Sequence, residues 1–310
     1  MHSKVLKLEG QVESMGQIFP QEFTARMQVL GQNAERIYSV IPRKCIRTRE
    51  VQAKDPVPWY DKATFDTSVK GYIQDPASLI PAIVLDPRPG ESVLDMCAAP
   101  GSKTTQIWEM TDGDVLLYSV DVNNRRLMRL KKNIELCGCD SVKLIRADAR
   151  KLKFDFQFDK ILLDAPCSGE GIVLKAHKTF KIWSENRVAR LTKDQKKMIK
   201  RAFSLLKPGG VLVYSTCTFE KEENEDVVQW LLDITNSIAP EKSRKGDSLY
   251  SNSAAQINSG SGSLYSASLE KIDIPNLVCD RGIDMPEAIR IYPYQNQTNG
   301  FFVAKIKKSS

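Results

Sequence analysis

The sequence predicts an α/β protein with a mostly parallel sheet, closed by a C-terminal antiparallel hairpin and preceded by a small α+β module. Three observations carry this reading. From about residue 77, short apolar β-branched runs alternate with amphipathic helical stretches, the mark of βαβ units. Each strand so predicted ends in, or is followed directly by, a polar or small residue, as strands are where their carboxyl ends face a ligand crevice. The last apolar runs, Ile289–Tyr292 and Phe301–Ile306, are short, and suit a hairpin closing on the sheet edge.

In chain order, residues 19–51 combine helical spacing at Phe23, Met27, Leu30 and Ile37 with the basic, strand-like run from Pro42 to Arg49. Pro56 and Pro58 then punctuate the chain, so residues 1–60 are expected as a small N-terminal module and 61–310 as the main domain. The main-domain strands read as Ser92–Met96, Val115–Val120, Val142–Arg146, Lys160–Asp164 and Val211–Ser215, with helices near 103–110, 123–137, 186–206 and 221–233. Between about 236 and 268, Ser, Gly, Asn and Lys replace hydrophobic periodicity, which reads as a flexible loop.

Composition bounds the function. With 42% apolar and 27% charged residues in 310, the chain has the balance of a folded globular protein. Its 45 Lys and Arg against 38 Asp and Glu leave a net charge of +7, which favours a polyanionic partner without requiring one. No apolar stretch approaches the ~20 residues of a membrane span, and no apolar run follows Met1, so a cytoplasmic protein with no membrane contact is expected, and a monomer. The seven cysteines lack metal spacing, and His2 and His177 are the only histidines. Neither a metal centre nor a Ser-His triad is expected, and the thiols should be reduced.

Two constellations carry chemistry. After the first strand, Asp95-Met96-Cys97-Ala98-Ala99-Pro100-Gly101-Ser102-Lys103-Thr104 leads small residues straight into a helix, whose amino end offers unpaired N–H groups. The run lacks the three spaced glycines of a dinucleotide fingerprint and the Gly-Lys-Thr of a phosphate loop, so a smaller nucleoside is favoured. Asp121, about 20 residues on, suits a ribose, and Asp148 after the third strand suits an adenine amino group. Any one of these aspartates alone is more often a cap or turn residue, but carboxylates at successive strand ends favour a site. In the second constellation, Asp164-Ala165-Pro166-Cys167-Ser168-Gly169 and Ser215-Thr216-Cys217-Thr218 end two neighbouring strands and bring two thiols to one crevice.

Together these three motifs resemble the Nop2/Sun family, RsmB-type, of RNA 5-methylcytosine methyltransferases, over roughly residues 40–235 and 288–307. The chain looks most like the compact archaeal transfer-RNA enzymes of that family. The resemblance implies a Rossmann-like, S-adenosylmethionine-dependent methyltransferase fold, with RNA as partner. It implies Cys217 as nucleophile and Cys167 as the residue needed for release, with cofactor contacts at Cys97, Ala98, Ala99, Pro100, Gly101, Ser102, Lys103, Asp121, Arg126, Asp148 and Asp164. It also implies an RNA-binding appendage over 19–58, where the basic residues are Arg43, Lys44, Arg47 and Arg49. Two departures stand out: Ser102 replaces a frequent glycine, and Tyr294 a common histidine.

The reaction explains the residue types. Carbon 5 of cytosine is a poor nucleophile until a thiolate adds at carbon 6, which makes the ring an enamine. A thiol of pKa ~8.5 needs a nearby cation for this, and Lys103 is expected to serve. A protonated Asp164 is expected to donate to ring nitrogen 3. Once carbon 5 carries its methyl group, its proton must leave before the thiolate can, a task for Cys167 or a water it positions. Alternative readings are a ribosomal RNA substrate, or a catalytically silent RNA-binding factor; loss of Cys217 would mark the latter, and it is present.

Overall fold

A computed structural model describes residues 19–47, 72–237 and 265–309. The described residues begin with α1 (Gln21–Val29) and α2 (Ala34–Tyr38), the second capped by Asn33, which accepts from the Arg36 amide. Their apolar faces bury Phe23, Met27, Ile37 and Tyr38 against Phe180, Trp183, Phe219 and Tyr292. Phe23 stands 4.7 Å from Phe180, a pairing that adds about 0.5–1.5 kcal/mol to simple burial. Arg26 reaches Glu220 at 2.7 Å and also pairs with Glu222. Strand β1 (Cys45–Arg47) pairs antiparallel with β2 (Tyr72–Gln74). The expected boundary at residue 60 lies outside the described residues, and the strands on its two sides form one ribbon.

The main domain continues through α3 (Ile80–Leu85), β3 (Ser92–Asp95), α4 (Ser102–Met110), β4 (Leu116–Asp121), α5 (Asn124–Cys137), β5 (Lys143–Arg146), β6 (Phe158–Asp164), α6 (Ala176–Phe180), α7 (Glu185–Leu205), β7 (Leu206–Thr216) and α8 (Glu225–Asn236). It ends with β8 (Ala267–Glu270), β9 (Asp280–Gly282), β10 (Met285–Ile291), α9 (Pro293–Asn296) and β11 (Phe301–Lys308). The sheet order is β5-β4-β3-β6-β7-β11-β10-β9, with β8 also paired to β11. Strands β5 to β7 run parallel, and β11 and β10 add the expected antiparallel hairpin beside β7. The order reverses between β3 and β6, which opens a crevice above their carboxyl ends.

The strands are apolar on both faces because helices cover both. Leu94, Ile161, Leu163 and Tyr214 pack with Ile199, Phe203 and Leu231, while Val93, Leu162 and Val213 pack with Ile107 and Leu130. Helix α7 is capped by Ser184 and matches its expected span within a residue. Its Lys193, Lys197 and Lys200 are exposed.

Several boundaries differ from expectation, among them the start of β10, at Met285 rather than Ile289. Strand β7 starts at Leu206, five residues before the predicted Val211, because a bulge between the Phe158–Leu206 and Lys160–Val211 pairs absorbs Pro208, Gly209 and Gly210. The last long helix begins at Glu225, after a short 3-10 turn at Lys221–Glu223. Strand β8 begins at Ala267, inside the expected loop, whose residues 238–264 lie outside the described residues.

Candidate active site

The crevice is assembled from strand ends. Asp95 closes β3, and the loop Cys97–Gly101 leads into α4 with a cis Ala99–Pro100 bond. Gly101 has φ +112°, and a Cβ there would sit 2.7 Å from Leu130, so only glycine fits. Helix α5 braces the loop: Asn133 donates to the Pro100 carbonyl at 2.8 Å and Arg126 to that of Ala99. Asp121 ends β4 with 3% exposure. Its Oδ1 accepts from the Asn123 amide at 2.8 Å, but its buried Oδ2 has no hydrogen bond, with Arg126 3.4 Å away. Asp95 likewise keeps a buried oxygen, Oδ1, without a partner, and burial pushes its carboxyl up to about 7. Asp148 is held by Arg150 through contacts of 2.7 to 3.1 Å, which lower its pKa.

On the other side of the crevice, β6 and β7 are in register at Asp164 and Ser215, so the loops after them run side by side. The result is a Cys167–Cys217 sulfur separation of 3.1 Å, with the Cys217 amide donating to the Cys167 sulfur at 3.3 Å. The hydrogen bond with Cys217, together with burial, raises the Cys167 thiol well above the ordinary range. Asp164 accepts from Lys103 at 2.7 Å and from Ser215 at 2.9 Å. The Lys103 ammonium also lies 5.3 Å from the Phe301 ring centre, so its charge is spent first on Asp164. Behind the thiols two glycines close the floor. Gly171 donates to the Cys217 carbonyl and Gly300 to that of Gly171, each at 2.9 Å.

The family model described as 16S rRNA methyltransferase RsmB/F matches residues 82–307. The chain belongs to the RsmB/F family of methyltransferases. Among its relatives is a tRNA (cytosine(49)-C(5))-methyltransferase of Pyrococcus abyssi, 35% identical over 245 residues, 76% of this chain and 69% of the relative. A Ribosomal RNA small subunit methyltransferase F of Vibrio vulnificus is 36% identical over 241 residues, but this chain spans only 45% of its length. The solved methyltransferase homolog of Pyrococcus horikoshii superposes with a TM-score of 0.72 at 27% identity, covering 97% of this chain and 98% of the other. NSun6 from the same organism, solved with SFG, an S-adenosylmethionine analogue, gives 0.64 at 31% identity over 80% of this chain and 56% of its own.

The structure brings Cys167 and Cys217 together and joins Lys103 to Asp164 at the end of the neighbouring strand, sets Asp121 at the end of β4, and leaves Asp148 with its oxygens engaged by Arg150. The residues expected to hold the cofactor fit an adenosine-bearing group: the buried Oδ2 of Asp121, 3.4 Å from Arg126, makes no hydrogen bond, and a ribose hydroxyl would supply one. The N-terminal basic residues divide. Arg43 and Lys44 are exposed, Arg49 lies outside the described residues, and Arg47 corrects the expectation of a phosphate contact. It is 8% exposed, pairs with Glu109 and donates to Thr105 at 2.6 Å, so its charge is neutralised inside the protein. Tyr294, the departure from the usual histidine, ties the module down: it donates to Gln32 at 2.9 Å under the Arg36 guanidinium.

Sequence reasoning missed the polar layer beneath the thiols. Ser168, Glu170, Thr218 and Glu223 are each at most 4% exposed and hydrogen-bonded to one another. Arg290 and Glu225 form a second buried pair at 2.5 Å, and Arg290 also donates to the Phe219 carbonyl, two residues past Cys217. The one signal available was that Glu170 continues the Cys167 motif.

Proposed function

We propose that this chain is an S-adenosylmethionine-dependent RNA (cytosine-5)-methyltransferase acting on transfer RNA in the cytoplasm, through a covalent bond between Cys217 and carbon 6 of the base. The observation that carries it is the pair of free thiols 3.1 Å apart at adjacent strand ends, beside the Lys103–Asp164 pair. A catalytically silent relative has no need to keep both. Transfer RNA is favoured over ribosomal RNA by likeness to the Pyrococcus abyssi enzyme, of which the chain covers 69%.

S-adenosylmethionine supplies an electrophilic methyl group on a sulfonium leaving group. Cys97 to Lys103 line its place, and Asp121 accepts its ribose hydroxyls. The Cys217 thiolate adds to carbon 6, with Asp164 and Lys103 placed to meet ring nitrogen 3. Carbon 5 then takes the methyl group and retains one proton. Cys167, or a water held by it, removes that proton, and the carbon–sulfur bond breaks to return the Cys217 thiolate. The timing follows from the largest cause of the raised Cys167 pKa, its hydrogen bond with Cys217. Once Cys217 is a thioether, it accepts weakly and cannot become charged, so Cys167 becomes a stronger acid and its thiolate is available when the base is needed.

Incubating the protein with unmodified transfer RNA and, separately, ribosomal RNA, and identifying the methylated nucleoside by mass spectrometry, tests the assignment. 5-Methylcytidine in transfer RNA is expected; product in ribosomal RNA alone overturns the substrate, and no product in either overturns the activity.

Asp121→Ala is expected to weaken S-adenosylmethionine binding about tenfold to a hundredfold, since a hydrogen bond to a charged group contributes about 1.5–3 kcal/mol. Calorimetry giving the parental affinity would reduce Asp121 to a turn residue. For the RNA surface, Arg43→Gln with Lys44→Gln should lower the slope of log affinity against log salt by about 0.7–0.9 for each phosphate no longer neutralised. Arg47→Gln should leave that slope alone and lower the melting temperature, because Arg47 is paired internally. Coincident slopes for parent and double variant remove this ribbon from the RNA interface.

A further inference from the structure

The polar layer beneath the thiols has too few hydroxyl protons for its contacts. Ser168 Oγ lies 2.9 Å from Glu170 Oε2 and 2.9 Å from Thr218 Oγ1, and touches Glu223 Oε1; Thr218 Oγ1 also touches Glu170 Oε2. That makes four oxygen–oxygen contacts served by two hydroxyls with one hydrogen each. Two further protons complete the network if both carboxyls carry one. Neither glutamate faces a basic side chain: Glu223 accepts from the Ser168 amide at 3.1 Å and Gln195 at 2.7 Å, and Glu170 Oε1 has no partner.

We propose that Glu170 is a positioning residue for both thiols, its neutral carboxyl clasping the hydroxyls of Ser168 and Thr218, which directly follow Cys167 and Cys217, so that the two sulfurs are held at reacting distance. This rests on the reading of the two thiols as the reacting pair. Burial, with Glu220 and Glu223 adding to it, raises Glu170 to about 8, and burial raises Glu223 to about 7. The remaining groups around the clasp leave it neutral. Glu220 is turned to Arg26 and Trp183, Tyr38 donates to the Glu170 carbonyl at 2.8 Å, Tyr214 donates to that of Glu223 at 2.6 Å, and Cys167 is a thiol. For a carboxyl raised in the folded state, the stabilisation is whole below the unfolded value and falls away as pH rises through the folded one. The clasp therefore holds at acid to neutral pH and opens through about 7 to 8.

The probe is diamide, which takes two electrons and two protons from the thiols and leaves a Cys167–Cys217 disulfide, counted by mass spectrometry without RNA or cofactor. Glu170→Gln keeps a neutral donor and acceptor that cannot titrate, and since a charged Glu170 also raises the Cys167 thiol, the ratio of parent to variant rates is taken after each is divided by its own measured thiolate fraction. That ratio is expected near one below neutrality and to fall by about tenfold between pH 7 and pH 9. Glu170→Ala is expected to cross-link more slowly than Glu170→Gln at every pH. A flat ratio overturns the clasp, and does so even if Glu170→Ala fails to fold. Because no methyl transfer is read, an inactive parent would sink the proposed activity while leaving this test intact.

Discussion

Replacing Cys217 by Ala should abolish 5-methylcytidine formation while S-adenosylmethionine binding stays at the parental affinity. Without addition at carbon 6, carbon 5 has no enamine to attack from, and no other thiol is presented in the same way: Cys167 is held protonated by Cys217 and burial. A fall of about four orders of magnitude or more is expected, the scale seen when a covalent nucleophile is removed. Cofactor affinity is expected to be separable because Asp121, the residue proposed to hold the ribose, ends β4, whereas Cys217 follows β7. Tritium transfer and calorimetry on the same preparation give both quantities. Turnover within tenfold of the parent would mean that Cys217 is not the nucleophile.

Replacing Cys167 should produce the opposite failure. Addition and methyl transfer go forward, but the carbon 5 proton stays, elimination stalls, and a protein–RNA adduct accumulates that survives denaturation. Cys167→Ser is the informative variant, since a hydroxyl still accepts from the Cys217 amide, which contacts the Cys167 sulfur at 3.3 Å. A serine hydroxyl is too weak an acid to become the base at neutral pH. Turnover should fall by about two to four orders of magnitude, the usual contribution of a general base, with near-stoichiometric adduct on denaturing gels. An adduct from Cys217→Ala and none from Cys167→Ser would exchange the two roles.

The fold was legible because its evidence is periodic and local. The strands β3, β4, β6 and β7 bury both faces and so read as apolar runs, and Asn123, Ser184 and Gly138 punctuate helices where caps belong. The cofactor loop and both cysteines were legible because each follows a strand end. What escaped depends on partners distant in sequence. Strand β2 is three residues long and exists through pairing with β1, 27 residues or so earlier. Arg47 looks like its neighbours Arg43 and Lys44 until the strand's alternation turns it toward Glu109. Glu170 and Glu223 drew no expectation, since apart from the place of Glu170 just after the Cys167 motif nothing local distinguishes a glutamate buried among hydroxyls from one in water.

The floor formed by Gly171 and Gly300 limits how this crevice can change. A Cβ on Gly171 would lie 2.5 Å from the Gly300 oxygen and 2.8 Å from that of Cys217, and one on Gly300 would enter the Phe219 ring. At Gly171 both neighbours are backbone oxygens, one of them that of Cys217 itself, which cannot yield without moving that residue. In a library of variants both positions should therefore return glycine alone, and any drift in which base or RNA is accepted must come from side chains above the floor. The two glycines act as a fixed datum: lineages can rebuild the walls of the pocket while the height of its sulfur stays where it is.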